Sequence, residues 1–98
     1  MDIYLYDNYR KVLAVLFRER KRLEKGFSYR KFAELAEIRN PGYLHDVISG
    51  KRRLSPRVAE KAIEIFALKG PHAEYFRLLR AYDAARDPVE RRGIYKDI

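Results

Sequence analysis

Apolar residues recur along the chain in short stripes of helical spacing, and proline or glycine separates one stripe from the next. In the first, Tyr9, Val12, Leu13, Leu16 and Phe17 fall at offsets 0, 3, 4, 7 and 8, one face of a 3.6-residue period. Asp7 or Asn8 can cap this helix, which is expected to run to about Leu23 and to end before Gly26. Ser28 can cap a second helix from Tyr29 to about Glu37, with Phe32, Ala33, Leu35 and Ala36 inward and Phe27 and Phe32 placed as a hydrophobic staple.

The remaining boundaries follow from the four prolines. Asn40-Pro41, Ser55-Pro56, Gly70-Pro71 and Asp87-Pro88 each place proline after a residue suited to a cap or turn. Proline at the first helical position loses no useful hydrogen bond and pre-sets φ. A third helix is therefore expected over 41–49, with Leu44, Val47 and Ile48 inward. A fourth is expected over 56–69, with Val58, Ala59, Ala62, Ile63 and Phe66 inward and Gly70 closing it in a left-handed conformation. The fifth is expected from Pro71 to about Ala85, presenting Tyr75, Phe76, Leu79 and Tyr82. A last, weakly amphipathic segment follows Asp87-Pro88.

Ile3-Tyr4-Leu5-Tyr6 has three readings: a short edge strand or extended arm, an arm packed on the fifth helix, or an earlier start of the first. The fold class is all-α, a compact bundle of five to six short helices. A chain of 98 residues holds one core, so 1–98 is read as a single domain.

Charge changes the picture more than composition does. Residues 1–25 carry seven Lys/Arg against four Asp/Glu, residues 26–57 seven against three, and residues 58–98 eight against seven. Nearly all of the net +8 therefore lies before residue 58, where a cationic face could attract phosphate. The absence of cysteine excludes disulfides, thiolate metal sites and cysteine nucleophiles. The longest apolar run, Val12 to Phe17, is far too short for a membrane span, so the chain is read as cytoplasmic with no membrane partner.

Helices two and three are joined by about three residues, Ile38 to Asn40, the compact connection of a helix-turn-helix unit. If Leu44, Val47 and Ile48 face the core, then Gly42, Tyr43, His45, Asp46 and Ser49 face outward or flank that side. A recognition helix leads into the major groove with its N-terminal half. Asn40, Gly42, Tyr43, His45, Asp46 and Ser49 are accordingly the base-contact candidates. Asparagine can pair bidentately with adenine, and tyrosine can meet a thymine methyl or a phosphate. Asp46 would repel phosphate, and is expected to orient a neighbouring cation or reject particular bases. Lys51, Arg52 and Arg53 alone would read as a solvated charge run. Placed just after such a unit they become phosphate clamps, joined by Arg30, Lys31 and Arg39 and by the amide end of helix two.

Phe32-Ala33, Ile38, Leu44, Val47-Ile48 and Gly50-Lys51 resemble the lambda-repressor-like class of helix-turn-helix domains. In that class a small alanine lets helix two approach helix three and a glycine closes the recognition helix. "YR" at 9–10, "YLHDVISGKRRLSP" at 43–56 and "EYFRLL" at 74–79 look like the amino-terminal segment of a bacterial regulator family known as the Fibrobacter/Bdellovibrio paralogous family. The resemblance implies a helix-turn-helix core over about 9–69. It also implies a DNA-binding segment of a longer regulator, with a stand-alone protein as the alternative, and a bacterial cytoplasmic location on the nucleoid when bound. The helices over 71–98 would then supply a dimer interface or a link to a further domain. Two positions depart from the pattern. The usual glycine of the turn is Glu37, which either avoids left-handed φ or carries strain, and Ile38 to Leu44 is one residue longer, which displaces the start of helix three.

The function expected is sequence-specific binding of double-stranded DNA in transcription, as a homodimer, with Tyr75, Phe76, Leu79 and Tyr82 read as either core or dimer interface. The alternative is a helical protein-interaction module without specific DNA binding. RNA fits less well, because stacking aromatics are not interleaved with the basic residues. No triad, carboxylate pair or glycine-rich phosphate loop suggests an enzyme or a cofactor, and His45 and His72 lack metal-ligand spacing.

Overall fold

The computed structural model describes residues 2–85; the expected segment after Asp87-Pro88 lies outside them. Five α-helices follow a short 3-10 turn at Ile3–Leu5: α1 Tyr9–Leu23, α2 Tyr29–Leu35, α3 Tyr43–Ile48, α4 Pro56–Ile65 and α5 Pro71–Ala84. The described chain is all-helical. Three of the expected caps form, each a short side chain accepting from an otherwise orphan amide. Asn8 Oδ1 accepts from the Arg10 N–H at 2.7 Å, Ser28 Oγ from Lys31 at 3.1 Å and Ser55 Oγ from Val58 at 3.2 Å. Pro71 opens α5 at its first turn.

Asn40-Pro41 does not open α3. Asn40 Oδ1 accepts from the Gly42 N–H at 2.9 Å, and the Tyr43 N–H bonds to the Asn40 carbonyl at 3.2 Å. The asparagine thus closes a turn of its own. The helix starts two residues later than expected, at Tyr43, and the α2–α3 connection spans residues 36–42.

Three helices end in one way. Glu37 (φ 57°), Gly50 (φ 89°) and Ala67 (φ 57°) are left-handed, and the residue after each donates back five positions: Ile38 to Ala33 at 2.8 Å, Lys51 to Asp46 at 2.9 Å, Leu68 to Ile63 at 2.9 Å. These are Schellman closures. They stop α2 at Leu35 and α4 at Ile65, short of the expected Glu37 and Lys69, and Ala67 takes the closing role expected of Gly70. A non-glycine residue in this conformation costs about 1 kcal/mol. Ile38 and Leu68, packed against the core just beyond, offset that cost.

Each of these ends also accepts from an arginine of another helix. Arg57 Nη1 of α4 donates to the Ala36 carbonyl at 3.1 Å, Arg10 of α1 to the Val47 carbonyl, and Arg20 of α1 to the Ile65 carbonyl. Cations at helix C-termini complement the backbone dipole as well as satisfying its carbonyls.

The core joins Tyr9, Val12 and Leu13 of α1 with Phe27, Phe32, Leu44, Val47 and Phe76, all fully buried. Phe27 and Phe32 both meet Phe66, at ring centroid separations of 5.9 and 5.6 Å. Ala33 and Ala36 leave room for α2 to lie on α3. Leu35, expected inward, is 42% exposed. The first residues form an arm on α5, turned and not extended: Ile3 is buried, Tyr4 packs edge-on against His72 and Tyr75, and the Tyr75 hydroxyl donates to the Tyr6 carbonyl at 2.7 Å. Among the described residues no helix is long and apolar enough to cross a membrane.

Candidate nucleic-acid interface

α3 is short, and its burial pattern sets its faces. Leu44 and Val47 are buried while His45 and Ser49, four residues apart, are exposed with Asp46 half-buried beside them. Gly42 leads into this face from the N-cap, and Asn40 lies exposed ahead of it. The Asn40 side-chain oxygen is held by the turn, and its amide NH2 is outside that bond. The Ser49 hydroxyl donates to the Asp46 carbonyl at 3.1 Å. Asp46 Oδ1 lies 3.7 Å from His45 Nδ1, beyond hydrogen-bond distance.

Tyr43 does not belong to the outward set. It is 7% exposed, and its hydroxyl donates to the Arg53 carbonyl at 3.4 Å and accepts from the Ser55 N–H at 3.2 Å. Placing it at the start of the helix turns it under the returning chain, where it acts as a strut.

The chain it supports is the basic loop after α3. The Tyr9 hydroxyl accepts from the Leu54 N–H at 3.4 Å and Arg10 Nη1 donates to the Arg52 carbonyl at 2.8 Å. Burial pushes the Tyr9 phenol above its ordinary range, with the bond from Leu54 opposing, so it stays neutral. The backbone from Arg52 to Ser55 is thus fastened from beneath by three side chains, whereas Lys51, Arg52 and Arg53 themselves are exposed. The Arg52 guanidinium lies over the Tyr43 ring, 5.0 Å from its centroid, a cation–π contact that leaves its charge uncompensated.

None of Arg30, Lys31, Arg39, Lys51, Arg52 and Arg53 makes an ion pair among the described residues, and all six are exposed. Some cations elsewhere are committed, although Arg18, Lys25 and Lys69 are likewise exposed and outside any ion pair among the described residues. Arg77 holds Glu60 through two bonds of 2.8 and 2.9 Å and reaches Glu74 at 3.3 Å, and Arg22 pairs with Glu19.

Sequence reasoning missed Arg10 and Tyr9 as supports of the loop, Arg57 and Arg20 as helix-end partners, and Tyr29. Tyr29 stacks on Phe17 with centroids 4.1 Å apart and meets the His45 ring edge-on at 5.4 Å. No local spacing signals these, because their partners lie 16 to 45 residues away in the chain, apart from Phe17. Of the four residues expected in the core or at a dimer interface, Phe76 and Leu79 are in the core, and Tyr75 and Tyr82 are half-buried. No group of three or more metal-ligating residues occurs among the described residues. Compared with protein-family models, curated proteins and solved structures, the chain shows no match.

Proposed function

We propose that the chain binds double-stranded DNA in a sequence-specific manner and acts in transcriptional regulation, with α2 and α3 as a helix-turn-helix unit. The observation that carries this reading is the loop 51–53. Three adjacent cations without acidic partners stand on a backbone tied down by Tyr9, Arg10 and Tyr43. A merely solvated charge run needs no such anchoring, while a phosphate clamp gains affinity from it, because less loop entropy is lost on binding.

In this reading Lys51, Arg52 and Arg53 neutralise phosphates on one side of α3, with Arg30, Lys31 and Arg39 completing the footprint. Asn40, Gly42, His45, Asp46 and Ser49 face the base edges. So short a helix reads only a few base pairs, and specificity comes from a second copy of the chain about 34 Å along a two-fold site. Contacts between the copies would use α5 surface other than the buried Phe76 and Leu79.

Selection from a random duplex library at two salt concentrations tests this function. Enrichment of a palindrome, with recovery falling steeply as salt rises, is the expected result. Uniform recovery of all sequences at both concentrations would contradict it.

A further inference from the structure

Lys51, Arg52 and Arg53 are alike in exposure, yet the structure holds them unequally. Arg52 is fixed twice. Its carbonyl accepts from Arg10 Nη1 at 2.8 Å, and its guanidinium carbon lies over the Tyr43 ring, 5.0 Å from the centroid. The ring is itself fixed, because Tyr43 is buried and its hydroxyl is bonded to the Arg53 carbonyl and the Ser55 N–H. Lys51 and Arg53 are anchored through the backbone alone. The Lys51 N–H donates to the Asp46 carbonyl at 2.9 Å and the Arg53 carbonyl accepts from Tyr43. Their side chains make no hydrogen bond, ion pair or ring contact among the described residues.

An aromatic face attracts a guanidinium without accepting any of its hydrogen bonds. The N–H donors of Arg52 therefore all remain for a ligand, in the rigid fork that matches two oxygens of one phosphate. A long side chain that must be ordered on binding loses conformational freedom, and this costs affinity. The Tyr43 ring restricts that freedom at Arg52 before a ligand arrives, and nothing comparable acts on Lys51 or Arg53. Arg52 also lies beyond the C-terminal end of α3, past Ser49 and the left-handed Gly50. The N-terminal half of a recognition helix is the part that leads toward base edges, so the position of Arg52 suits a backbone phosphate and not a base.

We infer that Arg52 is the dominant phosphate contact of the loop, gripping one phosphodiester of the duplex through two N–H donors, and that Tyr43 is the residue that positions it. Lys51 and Arg53 contribute charge without fixed geometry. This inference rests on the DNA-binding reading above.

The test takes the full chain and the duplex recovered by selection from a random library. Arg52→Lys keeps the charge and removes the fork. It should weaken binding about fivefold to tenfold, the scale of one hydrogen bond. The slope of log affinity against log salt should stay unchanged, because as many phosphates are neutralised. Arg53→Lys, whose side chain has no fixed geometry to lose, should change affinity by less than about twofold. Replacing successive phosphates of the duplex by neutral methylphosphonates should reveal one position at which the Arg52→Lys loss disappears. That loss should persist beside Tyr43→Phe, which keeps the ring, and disappear beside Tyr43→Leu, whereas a merely structural tyrosine would leave it the same in both. Equal losses for Arg52→Lys and Arg53→Lys, or a loss abolished by replacing a guanine instead of a phosphate, would overturn the inference and leave the DNA-binding reading standing. Absence of any enrichment in the selection would overturn both.

Discussion

The loop after α3 and the junction of α4 with α5 both carry arginines at the surface, yet they dispose of charge in opposite ways. At the junction, Arg77 is satisfied by Glu60 and Glu74. In the loop, Lys51, Arg52 and Arg53 have no acid beside them, and the hydrogen bonds run instead to the backbone that carries them. Net charge therefore does not show which cations are paired and which stand free. Arg10, Arg20 and Arg57 sharpen the point, since each adds to the formal surplus while its guanidinium is spent on helix-end carbonyls.

The largest expected effect on stability separates spent cations from free ones. Arg10→Ala strips the Val47 and Arg52 carbonyls of a charged donor whose side chain is only 19% exposed, and should lower unfolding free energy by about 2–3 kcal/mol. Lys51→Ala should change it by less than about 0.5 kcal/mol. Urea titration of both variants makes the comparison, and equal losses would dissolve it. Tyr43→Phe comes next. As a strut it should cost about 1 kcal/mol and leave base preference unchanged, whereas a base-contacting tyrosine would alter the selected sequence without loss of stability.

Glu37→Gly should raise stability by about 0.5–1 kcal/mol, because glycine adopts φ 57° without strain. The exposed Glu37–Lys61 pair at 3.8 Å that it removes contributes little. Thermal unfolding checks the sign. The smallest effect belongs to the α4–α5 junction. The Arg77 guanidinium beside Glu60 holds its carboxyl below the usual range. A depressed carboxylate contributes stability above its unfolded pKa and loses it as pH falls through the folded one. Because both partners are about half exposed, the contribution is below about 0.5 kcal/mol. Arg77→Ala should therefore flatten the acid limb of the stability curve slightly without touching DNA affinity.

Much of the fold was legible because its determinants are local. Asn8, Ser28 and Ser55 lie beside the amides they cap, and the stripe from Tyr9 to Phe17 needs only periodicity. The end of α2 was not legible in the same way. The resemblance marked Glu37 as standing at a turn glycine but left open whether it takes left-handed φ; it does, at 57°, and what holds it there is burial of Ile38 together with Arg57, twenty positions on. Asn40-Pro41 and Ser55-Pro56 look alike in sequence and behave differently, because Asn40 spends its oxygen on Gly42 and Ser55 caps α4. The outward exposure of His45 and Ser49 follows from helical phase and was legible. It was misread at Tyr43, whose burial depends on the returning chain at Arg53 and Ser55. The unpaired state of the basic residues could be suspected from their spacing from acids in sequence, but the anchoring of their loop could not.

The central claim is that unpaired cations on an anchored loop hold DNA phosphates, and the salt dependence of binding addresses it directly. Affinity for the selected duplex would be measured over a range of salt for the unaltered chain and for the chain carrying Lys51→Ala, Arg52→Ala and Arg53→Ala together. The expected result is a much weaker complex whose slope of log affinity against log salt is shallower by about 2.7, close to 0.9 per lost phosphate contact. An unchanged affinity and slope would contradict it.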